Sequence, residues 1–410
     1  MKADVVVVGA GPAGLAAAIA AKENGADDVV VIDREEHLGG ILRQCIHNGF
    51  GLHVFGEELT GPEYAAQFID KAKALGIRFL TETMVLDVSA QRVITAVGPE
   101  TGLVTIEAGA VVLAMGCRER SAGALMIPGS RPAGVLTAGT AQRFVNIEGF
   151  MPGHEVVILG SGDIGLIMAR RMTLEGACVK MVLELMPYSG GLNRNIVQCL
   201  NDFDIPLRLS HTVTRLHGRK RLTGVTVAAV DSSGTPIKET EEYVPCDTLL
   251  LSVGLIPENE LSHGFGAALD RMTNGPVVDS DMQTSTDGIF ACGNVVQVHD
   301  LVDFVTEEAT RAGRAAAMYL KKAQFCACRH TIPGQGIRYV VPQKLCDDGT
   351  DKTLFFRVAN VYRNCVTVAR CGDKVIARRK RQIVAPGEME RLDIKDADVC
   401  GDITVTVEEV

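Results

Sequence analysis

Two stretches of this chain repeat the same order of apolar runs and turns. In the first, the unbroken run Val5–Val8 follows Asp4 and stops at Gly9-Ala-Gly11-Pro12-Ala13-Gly14. An alanine-rich segment, Leu15–Lys22, comes next, and a second apolar run, Val29–Ile32, closes on Asp33. The second stretch opens with Glu155-Val-Val-Ile-Leu and turns through Gly160-Ser-Gly162-Asp163-Ile164-Gly165. It continues to about Glu175 and returns as Val179-Lys-Met-Val-Leu, closing on Glu184. Short uninterrupted apolar runs predict strands buried on both faces, as in a parallel sheet. The segments between them predict helices. Gly9 to Asp33 and Gly160 to Glu184 span the same 24 positions, so one strand–helix–strand unit is used twice.

The glycines give this unit its chemistry. Gly9 and Gly160 permit a tight turn, and Gly11 and Gly162 let a pyrophosphate approach the main chain. Gly14 and Gly165 let the helix pack close on its strand. Each helix N-terminus presents unpaired N–H groups and a positive dipole end to phosphate. Asp33 and Glu184 stand where each can accept hydrogen bonds from an adenosine ribose. Glu184 would repel a 2′-phosphate, and Leu185-Met-Pro-Tyr offers no arginine to hold one, so NAD(H) is expected over NADP(H) in the second site.

Two such sites in one chain suggest two different dinucleotides. The layout resembles the two-dinucleotide-binding-domain flavoproteins, the superfamily of thioredoxin reductase. Asp33 followed by Gly39-Gly40 is similar to the FAD-side acid-x5-Gly-Gly extension. Val111–Gly116 and Leu249–Gly254 resemble the strand-then-glycine segments that close each domain. Thr284–Asn294 resembles the late FAD motif, with Asn294 where Asp is usual; Asn still bonds a ribitol hydroxyl. Gly116-Cys-Arg-Glu-Arg120, Ile127-Pro-Gly and Pro132–Gln142 are similar to the branch of hydrogen cyanide synthase, opine oxidase and sarcosine oxidase α subunits. Gly40–Gly51 and His299–Val305 look closest to flavoprotein subunits paired with glycerol-3-phosphate dehydrogenases.

The resemblance implies an α/β chain with two Rossmann-like domains. FAD would occupy a discontinuous domain (1–120 and 265–328), with an NAD domain (150–262) inserted and 121–149 as linker. It assigns Gly9, Gly11, Pro12, Ala13, Gly14, Asp33, Arg34, Gly40, Arg43, Val85, Gly116, Gly293, Asn294 and Thr306 to FAD. Gly160, Gly162, Asp163, Ile164, Gly165, Glu184 and Gly254 go to NAD(H). Thr306 is expected to cap a helix over 306–321 whose positive end stabilises reduced flavin. Beyond residue 333, short apolar runs such as Thr353–Val358, Val366–Ala369 and Ile403–Val407 predict a small β-sandwich.

Composition narrows the partners. The 410 residues are 47% hydrophobic and 22% charged, ordinary for a globular chain, and the net charge of −9 argues against nucleic acid. From Thr331 onward 13 basic and 12 acidic residues nearly balance, so the deficit lies upstream. The longest apolar stretch, Val5–Ala21, is broken by Gly9, Gly11, Pro12 and Gly14, so neither a membrane span nor a signal peptide is expected. Cytoplasm is the default, and the twelve cysteines are read as thiols. No CxxC occurs, and neither Cys326-Ala-Cys328 nor Cys365…Cys371 has metal spacing, so no metal site is expected.

Cys45 and His47 follow the Gly-Gly turn and are the candidate catalytic pair, a redox thiolate beside a histidine. A buried packing thiol is the preferred reading of Cys45. His299, Asp300 and Asp303 either orient a substrate or lie in a solvated loop, and Arg118 and Arg120 rank low as phosphate or interdomain ligands. Arg378-Arg-Lys-Arg381 reads as a solvated strand. Three functions compete. The first is an electron-transfer subunit moving electrons between NADH and FAD beside a partner dehydrogenase. The second is a self-contained NADH oxidase or single-thiol disulfide reductase, and the third a nucleotide-bound scaffold. A second copy of the chain is a further candidate partner.

Overall fold

The computed structural model describes residues 1–321, 328–399 and 401–409. Cys326 lies outside them. The chain divides into two units, Met1–Cys117 with Pro257–Val410, and Arg118–Ile256.

The valine runs form the centre of the first unit. Lys2–Val8 lies parallel to Val29–Ile32 on one side and to the second half of Gly102–Leu113 on the other. Arg78–Leu80 and Ile289–Ala291 extend the parallel sheet outward. The first half of Gly102–Leu113 continues antiparallel with Val93–Gly98, which pairs with Met84–Val88. Val5, Val6 and Val7 are fully buried. Most of the helix Pro12–Glu23 is buried too, with every residue from Ala13 to Ala21 inside. A helix buried all round needs small side chains to let its neighbours close in. Its neighbour is the long helix Val302–Leu320, and a Cβ on Gly313 would sit 2.0 Å from the Ala17 carbonyl oxygen.

That long helix starts at Val302, not at 306. Leu301 precedes it with no side-chain cap, and Val305, Ala309 and Ala312 form its inward stripe. Thr306 therefore caps nothing. Its hydroxyl is buried in a 2.7 Å hydrogen bond with the Tyr64 hydroxyl.

The second unit repeats the plan. Five parallel strands run in the order Val135–Thr137, Thr248–Leu251, Glu155–Leu159, Cys178–Glu184, Leu207–Leu209, beside an antiparallel set of three. Residues 121–149 are part of this unit rather than a linker. Val135–Thr137 is an edge strand in register with Leu249–Leu251, and Glu119 accepts from the Gly139 N–H with both oxygens, at 2.8 and 3.0 Å. A short strand supplied from upstream of the repeated unit gives no periodic signal of its own.

The tail is a β-sandwich. Five strands, in the order Lys344–Cys346, Cys328–Pro333, Ile403–Glu409, Tyr362–Cys371, Lys374–Val384, face three others. Leu354, Phe356, Leu392 and Ile394 pack with Ile403, Val405 and Ala369 in its core. Arg378–Arg381 lie on the edge strand Lys374–Val384, where charge discourages pairing with other chains. The sandwich is fastened to the rest of the first unit. Arg357 donates to Asp300 and, at 3.0 Å, to the Val298 carbonyl. Arg391 pairs with Glu307 at 3.2 Å, and the Phe355 ring lies against His299 and Phe304. No helix among the described residues is long and apolar enough to cross a membrane, and no group of three or more described His, Cys, Asp or Glu side chains is placed to hold a metal ion.

Candidate functional site

The two glycine turns are built alike, atom for atom. In the first, Gly9 takes φ of +106° and its N–H donates to Ile32. A Cβ on Gly14 would stand 1.7 Å from the Gly9 carbonyl oxygen. In the second, Gly160 takes φ of +100°, its N–H donates to Leu183, and a Cβ on Gly165 would stand 2.6 Å from the Gly160 oxygen. Such φ values fall where L side chains rarely go. The helices they open, Pro12–Glu23 and Asp163–Leu174, begin at Gly11 and Gly162 with no side-chain cap. A helix N-terminus without a side-chain cap suits an anion.

The central glycines differ from the packed ones. A Cβ on Gly11 would meet nothing within 4 Å, and one on Gly162 only Ser252, at 3.6 Å and beyond. Neither glycine is demanded by the protein's own packing. Space kept open over an uncapped helix N-terminus fits a phosphate that approaches the main chain, so the residues suit a dinucleotide in each unit.

The two acids are also equivalent. Asp33 accepts from the Ala10 N–H at 2.5 Å and from the Glu35 N–H at 2.8 Å. Glu184 accepts from the Ser161 N–H at 2.9 Å and the Met186 N–H at 2.9 Å, and from the Ser161 hydroxyl at 2.6 Å. Each carboxylate thus clamps the residue after the first glycine to the end of the second strand. The acids hold the turns.

Other expected residues gather round the first turn. A Cβ on Gly40 would lie 2.9 Å from Gly11 Cα, and one on Gly293 2.8 Å from Ala13 Cβ. The Gly-Gly extension and the late motif therefore both touch the opening of the Pro12–Glu23 helix. Arg43 lies in the 3-10 turn Gly40–Gln44, half-buried, while Arg34 is exposed. Thr83 donates its N–H to the Asp33 carbonyl at 2.9 Å, which brings buried Val85 next to the acid turn. Gly116 and Gly254 occupy matching positions after their strands, at φ of +71° and +100°. In the second unit Asp163 Oδ1 accepts from the Leu192 N–H at 2.8 Å and Asn195 Nδ2 at 2.7 Å. Ile164 is half-buried behind it.

Some residues have other employment. Asn294 accepts the His299 N–H at 3.0 Å and donates to Cys117 Sγ at 3.5 Å, so its side chain also staples the late motif. Asp300 takes Arg357 and, at 2.6 Å, the Met389 N–H, which makes it neither a solvated loop residue nor a free substrate ligand. Asp303 is buried and accepts the Val54 N–H at 3.2 Å. Arg118 and Arg120 are exposed. The largest omission from the sequence reading is Glu308. It is buried, accepts the Gly293 N–H at 2.6 Å and Gln297 Nε2 at 3.1 Å, and lies 3.3 Å from the buried His299 ring. A carboxylate two turns into a helix carries no local signal that it serves a distant glycine.

Cys45 follows the Gly40–Gln44 turn. Its thiol donates to the Ile41 carbonyl at 3.4 Å, and burial pushes it up to about 12. The His47 ring sits 5.1 Å from that of Phe50. A thiol that stays protonated through the physiological range is a poor nucleophile. Cys45→Ser should therefore leave NADH-to-dye turnover within about twofold at pH 7.5, as measured by steady-state kinetics. Robust disulfide turnover by wild type that is lost in Cys45→Ser would return Cys45 to the catalytic machinery.

Comparison with known proteins agrees with this geometry. The family model described as pyridine nucleotide-disulphide oxidoreductase matches residues 3–318. An opine oxidase subunit of Agrobacterium tumefaciens (strain Ach5) is 28% identical over 338 residues, covering 77% of this chain and 64% of that protein. Hydrogen cyanide synthase subunit HcnB of Pseudomonas protegens is 26% identical, covering 65% and 59%. The chain thus spans about six tenths of these two relatives. Among solved structures, T. acidophilum thioredoxin reductase superposes with a TM-score of 0.62 at 26% identity, over 78% of this chain and 98% of that one.

Proposed function

The chain belongs to the pyridine nucleotide-disulphide oxidoreductase family, FAD- and NAD(P)-dependent oxidoreductases, and from that membership we propose that it is an electron-transfer subunit moving electrons between NAD(H) and FAD. Its electrons would pass through FAD to or from a partner dehydrogenase, with glycerol-3-phosphate dehydrogenase as the candidate that the sequence resemblance suggests. The observation that carries this reading is the duplicated site: two uncapped helix N-termini, each with open space at its central glycine and an acid clamping its turn. The subunit reading is further supported by relatives that are themselves named as subunits, of opine oxidase and hydrogen cyanide synthase. The high-lying Cys45 thiol weighs against the single-thiol reductase.

When bound, the flavin supplies the two-electron centre that accepts a nicotinamide hydride. The protein's residues bind and orient. The N–H groups after Pro12 in the first unit and after Gly162 in the second would hold the two pyrophosphates, and Asp33 and Glu184 the adenosine riboses. Glu184 would disfavour a 2′-phosphate by charge, which selects NADH over NADPH. Glu308 and Asn294 fix the turn at Gly293 that meets the FAD half of the site. The first turn of the Val302–Leu320 helix has no side-chain cap but carries Asp303, so the pull of its positive end on FAD would be tempered by a carboxylate.

The test is anaerobic titration of the FAD-loaded protein with NADH and NADPH, followed by turnover with oxygen, a disulfide or an artificial dye. We expect bleaching with NADH at a higher kcat/KM than with NADPH, good dye turnover, and slow turnover with oxygen or disulfide. Purified partner dehydrogenase should add its substrate's oxidation to the same flavin. Robust disulfide reduction by the chain alone would replace this reading with the reductase, and preference for NADPH would overturn the role given to Glu184.

A further inference from the structure

The internal repeat continues past the closing acid. Asp33, five residues, Gly39-Gly40, two residues and Arg43 recur as Glu184, five residues, Gly190-Gly191, two residues and Arg194. The structure gives both copies the same job. In the first, the Gly39 N–H donates to the Ala10 carbonyl at 2.9 Å, and Gly40 presses on Gly11. In the second, Ser189 Oγ donates to the Ser161 carbonyl at 3.1 Å and the Gly190 N–H to Ser161 Oγ at 3.2 Å. A Cβ on Gly191 would lie 2.8 Å from that same carbonyl oxygen. A Gly-Gly turn is laid over the glycine loop in each unit, and an arginine leaves each turn at the same position.

The copies differ by one charge. The Pro12–Glu23 helix has no acid in its first turn, whereas the Asp163–Leu174 helix has Asp163. A carboxylate there opposes an anion at the helix N-terminus. It is held by the Leu192 N–H and Asn195 Nδ2, and these two anchors bracket Arg194 in sequence. Arg194 is exposed and in no ion pair with another described residue. A guanidinium so placed is a ready fork for phosphate oxygens.

We propose that Arg194 is the pyrophosphate ligand of the second dinucleotide site, the counterpart of Arg43 in the first, and that it offsets the charge of Asp163 there. The proposal rests on reading the second unit as a dinucleotide site. The experiment titrates FAD-loaded wild type, Arg194→Gln and Arg194→Lys with ADP-ribose, adenosine and 2′-phospho-ADP-ribose. We expect Arg194→Gln to raise the Kd for ADP-ribose roughly 10- to 100-fold, as for loss of a charge-assisted hydrogen bond. Arg194→Lys should recover part of that loss, with adenosine affinity and FAD content unchanged. Unchanged ADP-ribose affinity would overturn the role of Arg194 and leave the dinucleotide reading standing. An equal loss for adenosine would mean a damaged loop, and a loss confined to 2′-phospho-ADP-ribose would move Arg194 to the ribose; either overturns the proposal. If wild type binds no ADP-ribose, the dinucleotide reading falls with it.

Discussion

Gly162→Ala is expected to yield a folded, FAD-loaded protein that NADH reduces poorly. A methyl group at this position has no protein atom closer than 3.6 Å, and the backbone there is extended (φ −65°, ψ 162°), which alanine adopts without strain. The thermal transition should therefore stay put. The methyl would stand where the nucleotide phosphate must approach the main chain. We expect kcat/KM for NADH to fall on the order of 100-fold, about 2.7 kcal/mol at 1.36 kcal/mol per decade. Gly11→Ala is the mirror experiment, because that position too has nothing within 4 Å. FAD should be lost on gel filtration, with the FAD-free melting temperature unchanged. Wild-type NADH kinetics in Gly162→Ala would remove the second site from the mechanism.

The second large effect is structural. Asp300→Ala should loosen the β-sandwich from the FAD unit. The Arg357 side chain is only 12% exposed and gives hydrogen bonds to Asp300, the Val298 carbonyl and the Gly387 carbonyl, with Tyr339 Oη at 3.1 Å from its Nε. Deleting the carboxylate leaves that guanidinium buried without its counter-charge and strips the Met389 N–H of its acceptor. Losses of this kind run to about 3–5 kcal/mol. A chain of several domains does not melt in one step, so the measurement is urea unfolding followed by limited proteolysis of the sandwich. We expect cleavage within residues 328–409 at lower urea than in wild type, with Asp300→Asn intermediate. An unaltered proteolysis profile would mean that Phe355 and Arg391 hold the sandwich unaided.

Much of the candidate site is legible in the sequence because its determinants are local. A valine run followed by Gly-x-Gly-x-x-Gly specifies a buried strand, a tight turn and a close-packed helix from residues next to one another in the chain. The acids Asp33 and Glu184 end the next strand at a set distance, and the sandwich strands alternate visibly. The pattern at Gly190-Gly191 and Arg194 is just as local, since it repeats Asp33-x5-Gly-Gly, but its meaning depends on seeing the second turn folded over Ser161.

What only the tertiary structure decided are roles that need a partner far away in sequence. Thr306-Glu-Glu reads like a helix cap. The helix starts four residues earlier, which buries Val305, and the Thr306 hydroxyl is claimed by Tyr64, 242 positions away. Glu308 serves Gly293, Asp300 serves Arg357, and Val135–Thr137 finds its sheet only through Leu249–Leu251. A turn is set by steric limits on adjacent residues, which the sequence states directly. A buried charge or an edge strand is set by whatever the completed fold brings alongside it, and that neighbour exists only once the chain has closed on itself.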